Sequence, residues 1–297
     1  MSWKDTAKEL RFRQGLSLTQ TAHALESEFP DKTQIQVYEK VKRFLRDTKE
    51  YSDKRFVYTG KEKFTYEFDA PIHLYPLGDF HVGAEGCLLK LLEQYLDMIY
   101  DDPVGYIILV GDLIENAVQG GKGSIFSQTM PPDKQKEKVL TLLDRFAKED
   151  RILFGCSANH CERAFRTCGV DIMGDIFRTL NILDRYNFTQ GFVSIKIKGN
   201  KKPFNIYCTH NIGKSDIAIQ NKCRNFSDID LFIAGHIHTP KTVFVAQQAF
   251  SGKMREILAI IVTSWMRNEH YAVSAAYSLA SMRKHKIIVG EELEVLS

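Results

Sequence analysis

What this sequence lacks narrows it first. No apolar run in its 297 residues approaches the ~20 needed to cross a bilayer. Met1-Ser2-Trp3-Lys4-Asp5 is charged and has no apolar core of the secretory kind, so a cytoplasmic protein without a membrane partner is expected. The six cysteines, Cys87, Cys156, Cys161, Cys168, Cys208 and Cys223, include no C-x-x-C pair, which argues against a structural zinc site. In a cytoplasmic chain they read as reduced thiols, with Cys156 and Cys208 as small core residues at strand ends. Charge of one sign is scarce too: a net +3 is too little to require a nucleic-acid partner. Its placement is uneven, however. Residues 1–63 hold 14 Lys and Arg against 10 Asp and Glu, and the remainder holds 26 against 27. The positive surplus therefore lies at the N-terminal end.

What is present is a set of five short motifs, each following an apolar strand. They are Gly78-Asp79-Phe80-His81, Gly111-Asp112-Leu113-Ile114-Glu115-Asn116, Ala158-Asn159-His160-Cys161-Glu162, Thr209-His210-Asn211 and Gly235-His236-Ile237-His238. Among them, two aspartates (Asp79, Asp112), the asparagine Asn159 and five histidines are candidate ligands or acid–base groups. Imidazole and carboxylate suit divalent transition metals. A carboxylate can bridge two ions, and two ions ~3.5–4 Å apart can clamp a phosphate and activate a water. A histidine near its ordinary pKa suits protonation of a leaving oxygen at neutral pH. The set is the inventory of a two-metal hydrolytic site with one histidine to spare. His23, His73, His270 and His285 lack such a context and read as surface or core residues.

Along the chain, residues 3–14 (Trp3 to Gln14) read as a charged helix. Ser17 then reads as an N-cap with Gln20 three residues on, followed by Leu18, Ala22 and Leu25 on one helical face. A further helix is expected from Thr33 to Arg46, with Ile35, Tyr38, Val41, Phe44 and Leu45 at helical spacing. Its basic residues, Lys40, Lys42, Arg43 and Arg46, give residues 1–50 the outline of a helix-turn-helix module, which points to DNA. Protein contact or simple packing of three short helices is the open alternative. Residues 51–70 read as a hairpin linker around Thr59-Gly60-Lys61. From 71 to 297 short apolar strands (Ile72–Leu77, Tyr106–Val110, Ile152–Gly155, Phe204–Cys208, Leu231–Ala234) alternate with amphipathic helices (Cys87–Tyr100, Asp133–Lys148, Val170–Leu180, Asp216–Asn225). That alternation predicts an α/β layered domain. Ligands gather at the carboxyl ends of strands in open α/β sheets, so five motifs can converge there. Strand-like runs after Pro240 (Thr242–Ala246, Ile257–Val262, Lys286–Val289) are expected to form a second sheet stacked on the first.

The five motifs resemble the calcineurin-like metallophosphoesterase superfamily over about residues 71–265. The family pattern runs D-x-H, G-D-x-x-D/N/E, G-N-H-D/E, a lone H and G-H-x-H, and all five blocks occur here in that order. Two positions depart from it: Ala158 stands for the usual Gly, and Cys161 precedes Glu162. The resemblance implies a four-layer α-β-β-α sandwich of two mixed sheets. It implies that Asp79, His81 and His238 bind a first metal, Asn159, His210 and His236 a second, and that Asp112 bridges both. It further implies that a metal-bridging hydroxide attacks and that His160 protonates the leaving group. The metal is expected to be manganese, with iron, zinc or nickel as alternatives.

Phosphoprotein phosphatases of this superfamily carry Asp-Arg-Gly at the end of the second block, where this chain has Glu115-Asn116-Ala117. That lowers the phosphoprotein reading. Gly78-Asp79-Phe80-His81-Val82-Gly83 is similar to the form found in the family's DNA repair nucleases. Arg163 and Arg166, close after His160, are candidate substrate-binding residues, because arginine pairs with phosphate oxygens. The glycine-rich Gln119–Ser124 segment could meet an anion, and Trp265 could stack on a base or sit in the core. The expected function is hydrolysis of phosphodiester bonds in DNA or another nucleic acid. The alternatives are a phosphodiesterase or phosphatase for small nucleotides or other organic phosphates, and a DNA-binding or assembly module with a structural metal site.

Overall fold

The computed structural model describes residues 2–13, 16, 18–47, 61–118, 125–248, 252, 254–267 and 283–296. The chain divides into two compact units, Met1–Thr59 and Gly60–Ser297.

The first unit holds α1 (Trp3–Lys8), a π-helical turn Glu9–Arg13, α2 (Leu18–Ala24) and α3 (Gln34–Asp47). Reciprocal caps start two of them. Ser2 Oγ accepts the Asp5 N–H while the Asp5 carboxylate accepts that of Ser2. Thr33 and Gln36 exchange the same pair of bonds at 3.0 and 3.4 Å. Ala7, Ala22, Leu25, Val37, Val41 and Leu45 form the buried core. Val37, Val41 and Leu45 follow one another at four-residue spacing, which puts Ile35 on the opposite, exposed side of α3. Ile35, expected at helical spacing with Val41 and Leu45, is exposed, and Val37 carries the buried stripe. Lys40 lies 4.3 Å from the Phe29 ring centroid, and Lys42 pairs with Glu39 at 3.0 Å. Ser17, the expected cap of α2, lies outside the described residues.

The second unit contains twelve named strands and five α-helices among the described residues. In chain order they are β1 (Lys63–Phe68), β2 (Ile72–Leu77), α4 (Leu89–Asp101), β3 (Gly105–Leu109), α5 (Pro132–Lys148) and β4 (Ile152–Cys156). Next come α6 (Asn159–Cys168), α7 (Ile172–Thr179), β5 (Tyr186–Asn187), β6 (Gln190–Ile197), β7 (Phe204–Thr209), α8 (Asp216–Arg224) and β8 (Leu231–Ala234). The last four are β9 (Lys241–Gln248), β10 (Met254–Ile261), β11 (Lys286–Val289) and β12 (Leu293–Leu296). Two six-stranded mixed sheets result, ordered β1-β6-β7-β8-β10-β9 and β12-β11-β2-β3-β4-β5. One buried cluster takes side chains from both sheets, including Leu74, Ile108, Leu153, Val193, Ile206, Ile233 and Ile260. A second packs the β2-β3-β4 sheet against α4, α5 and α7, and a third packs the other sheet against α8. No helix among the described residues is long and apolar enough to cross a membrane.

One expectation is corrected here. The strands after Pro240 form no sheet of their own. β10 pairs parallel with β8, whereas β11 pairs antiparallel with β2, so they divide between the two sheets. Lys63–Phe68, at the end of the expected hairpin, pairs parallel with β6. The rest of that expected hairpin, residues 51–60, lies outside the described residues.

Register sets the site. Leu77 lies opposite Leu109, and Thr209 opposite Ala234, so neighbouring parallel strands end level with each other. Their following loops leave side by side. Close packing beneath these loops depends on Gly155, where a methyl group would overlap the Phe177 ring. Gly155→Ala should destabilise the protein by about 1–3 kcal/mol, seen as a lower urea midpoint. An unchanged midpoint would contradict this packing.

Candidate metal centre

All five motifs begin at strand ends: those of β2, β3 and β4 in one sheet, and those of β7 and β8 in the other. The chain leaves the pleat by turning left-handed at Asp79, His81 and Asp112 (φ 49° each), His236 (74°) and His238 (61°). Such a conformation costs on the order of 1–3 kcal/mol in a non-glycine residue. Among the described residues only Asn116, Asp150 and Asn181 share it, so the strain is concentrated in these loops. Ala158, the departure in the third block, has an extended φ of −154° that any residue adopts. Its methyl group occupies the space that a side chain at Gly111 would need.

The ligand-type atoms converge in three groups: Asp79, His81 and His238; Asp112, His210 and His236; and His81, Glu115 and His160. Asp79 Oδ1 lies 3.4 Å from His238 Nε2 and 3.8 Å from His81 Nε2, and the two imidazole nitrogens are 3.1 Å apart. Asp112 Oδ2 lies 3.0 Å from His210 Nε2, and Asn159 Oδ1 lies 3.1 Å from that same nitrogen. His236 completes a cluster with Asp112 and His210. The far side of each buried imidazole is tied back. His81 Nδ1 donates to Glu115 Oε2 at 3.0 Å, and His210 Nδ1 to the Val110 carbonyl at 2.6 Å. Each Nε2 is thereby aimed into the cluster, the arrangement that metal-binding histidines require. The donors, mixed nitrogen and oxygen, suit divalent metal ions.

His160 stands beside these groups. Its backbone N–H, in the first turn of α6, donates to Asp112 Oδ1 at 2.9 Å. Its Nδ1 is 2.9 Å from the Glu115 carbonyl oxygen, and its ring centroid is 4.5 Å from that of His81. Arg163, mostly buried, places Nη2 3.0 Å from His160 Nε2 and Nη1 3.4 Å from Glu115 Oε1. Arg166 is not drawn in: it is exposed and pairs with Glu162 at 2.6 Å. Trp265 is fully buried and packs against Phe80 and Tyr95, so it belongs to the core rather than to a stacking surface. Gln119–Ser124 lies outside the described residues. Glu115 is the residue that sequence reading left without a role. Its signal was the acidic fifth position of the second block, and only folding shows it reaching His81, His160 and Arg163.

Charge in this buried site is balanced within it. Burial pushes the Asp79 carboxyl up, but hydrogen bonds with His238 and His81 hold it well below the usual carboxylate range. Burial of Asp112 is outweighed by the His210 charge, and burial of Glu115 by bonds with His160 and His81; both end low. The converse holds for the imidazoles. Burial disfavours the charged His81, yet Asp79 and Glu115 raise its pKa to about 10. Asp112 likewise raises that of His210 to about 9 against burial. His236 is lowered, by burial and by the neighbouring His210. Without metal, protons on His81 and His210 supply the positive charge these carboxylates demand.

No protein-family model matches the chain, and no curated protein matches it. Among solved structures it is similar to a conserved uncharacterized protein, a predicted phosphoesterase, from Streptococcus pneumoniae TIGR4. The two share 12% identity over 76% of this chain and 88% of that one, with a TM-score of 0.35. An NAD nucleotidase from Haemophilus influenzae shares 8% identity over 77% of this chain and 49% of that one, with a TM-score of 0.33. Likeness at this level establishes neither family nor activity.

Two outcomes follow from the geometry. A histidine whose pKa is raised on folding stabilises the fold fully below about 6.5 and loses that contribution as pH rises through its folded value. The metal-free protein should therefore lose thermal stability between about pH 6.5 and the values near 9 and 10 of His210 and His81. A midpoint flat over that window would contradict the charge balance. Glu115→Ala should weaken divalent-metal affinity by roughly 10–100-fold, measured by chelator competition. Wild-type affinity in that variant would remove Glu115 from its supporting place.

Proposed function

We propose that this chain is a metal-dependent phosphodiesterase of the metallophosphoesterase type, hydrolysing phosphodiester bonds in nucleic acid. The observation that carries the reading is the pair of adjacent nitrogen–oxygen clusters, each with its buried imidazole tied back and its Nε2 facing inward. Asp79, His81 and His238 would hold one ion, Asn159, His210 and His236 another, and Asp112 would be shared. In support of sharing, the Asp112 charge acts on His81 as well as on His210. Two bound divalent ions, manganese by preference, supply positive charge to the phosphate and make water acidic enough to react near neutral pH. The same reading takes the second unit as a four-layer α-β-β-α sandwich, supported by the core shared between its sheets and the helices packed on their outer faces.

The chain's own residues do the rest. His160 keeps its Nδ1–H on the Glu115 carbonyl, so Nε2, which accepts from Arg163 Nη2 at 3.0 Å, is the atom that would carry a proton to the leaving oxygen once the guanidinium turns to the phosphate. Glu115 steadies this ring and that of His81 together. The Arg163 guanidinium, anchored on Glu115 next to Nε2, lies where it can grip a phosphate oxygen as the diester arrives. Arg166, on the outer side of α6, would meet only the more distant part of a long substrate.

Nucleic acid as substrate is supported by the positive surplus of residues 1–63 and the exposed Arg43 on α3. One observation favours a second reading, a diesterase for small nucleotides. Lys40 already covers Phe29 and Lys42 already pairs with Glu39, which leaves fewer cations for a phosphate backbone.

The test is hydrolysis of a p-nitrophenyl phosphodiester, its monoester counterpart, and single- and double-stranded DNA, with Mn²⁺ returned after chelation. The expected result is cleavage of the diester and of DNA, with DNA cleavage falling by roughly 100-fold or more in His160→Ala and p-nitrophenyl diester cleavage falling far less. DNA binding should also weaken steeply with salt, because phosphate contacts release counterions. Diester cleavage without DNA cleavage would shift the substrate to a small nucleotide. No turnover with any divalent metal would overturn the enzyme reading.

A further inference from the structure

A buried chain of amides runs behind the site. Gln135, on α5, is fully buried although it belongs to a residue type that is mostly exposed. Its Oε1 accepts the Asn116 backbone N–H at 2.9 Å, and its Nε2 donates to Gln128 Oε1 at 2.6 Å and to the Met130 carbonyl at 2.9 Å. Gln128 in turn holds both backbone groups of Ala117, at 3.0 and 3.1 Å. Asn116, also buried and left-handed at φ 43°, ends the chain: its Nδ2 donates to the His160 carbonyl at 2.8 Å. Gly83, at φ 94°, leaves the room for this amide, since a methyl group there would overlap the Gln135 side chain.

The position matters because His160 is held group by group. Its N–H is bonded to Asp112, and its ring to Glu115 and to Arg163 Nη2. The Asn116 amide is the bond that grips its carbonyl, and Gln135 fixes the Asn116 backbone to α5. An imidazole misplaced by about 1 Å loses much of its effect on proton transfer.

We infer that Asn116, braced by Gln135 and Gln128, is a positioning residue that sets His160 for proton delivery to the leaving group. This rests on the phosphodiesterase reading. The role differs from that of Glu115, because the amide chain touches no residue assigned to a metal. A defect in it should spare metal binding and fall on the proton transfer. Diesters with poor leaving groups need that proton, whereas p-nitrophenyl diesters scarcely do.

The experiment uses the full-length chain with Asn116→Asp and Asn116→Gly. The first keeps shape and tolerance of the left-handed backbone but removes the donor. The second removes the side chain without backbone strain. In both, turnover of an alkyl phosphodiester should fall by roughly 10–100-fold, with that of a p-nitrophenyl diester changed by about threefold or less. Equal losses on both substrates, or a wild-type ratio in Asn116→Gly, would overturn the inference. A second readout does not need turnover. The proton NMR signal of His160 Nδ1–H should shift or vanish into exchange in Asn116→Asp, while that of His210 Nδ1–H stays. An unchanged His160 signal would overturn the inference. If the wild-type chain cleaves neither diester, the phosphodiesterase reading fails and the ring-proton signal alone decides whether Asn116 positions His160.

Discussion

The buried carboxylate of Asp79 joins the two sheets at the level where the site forms. It follows β2 in one sheet and accepts the backbone N–H of His236, which follows β8 in the other, at 3.0 and 3.3 Å. Its own carbonyl receives the N–H of Trp265, just past the end of β10. Gly235 makes the approach possible, since a methyl group there would lie 2.8 Å from Asp79 Oδ2. A carboxylate with no exposed surface has to be compensated where it stands, because an unpaired buried charge costs several kcal/mol. The surrounding imidazoles are that compensation, and they recruit Asp112 and Glu115 in turn.

From that constraint the remaining features follow. The strand ends must converge, so the parallel pairs β2–β3 and β7–β8 end in register. The loops must present side chains inward at once, so Asp79, His81, Asp112, His236 and His238 take a backbone form that most residues avoid. Such a site is held by what surrounds it. The apolar cluster shared by both sheets lies directly beneath, and α6 begins at the site with its N-terminal backbone N–H turned to Asp112. A cluster with three low-lying carboxylates and two proton-hungry imidazoles is also one in which cations and protons compete. Metal uptake by such a cluster would release protons and strengthen as pH rises.

Much of this was legible in the sequence for a local reason. β2, β3, β4, β7 and β8 are nearly continuous apolar runs that stop at a ligand-type residue, so both strand and motif are written in one short stretch. What stayed hidden depends on distant partners. β6 alternates rather than running apolar, and Gly191 within it is needed because the Phe154 ring of the facing sheet fills that space. Whether β10 or β11 joins the older strands is decided by pairing that no local pattern encodes. Glu115 acts across a separation of 34 residues on His81 and 45 on the His160 ring. Arg163 and Arg166 look equivalent in sequence, yet on α6 the first meets Glu115 and the second turns to Glu162 one helical turn behind it.

The central claim is that two divalent ions sit among these strand ends. Crystals grown with Mn²⁺ and measured at its absorption edge test it most directly. The account predicts two anomalous peaks per chain, one against Asp79, His81 and His238, the other against Asn159, His210 and His236, with Asp112 touching both. Peaks elsewhere, or none at these side chains, would contradict it.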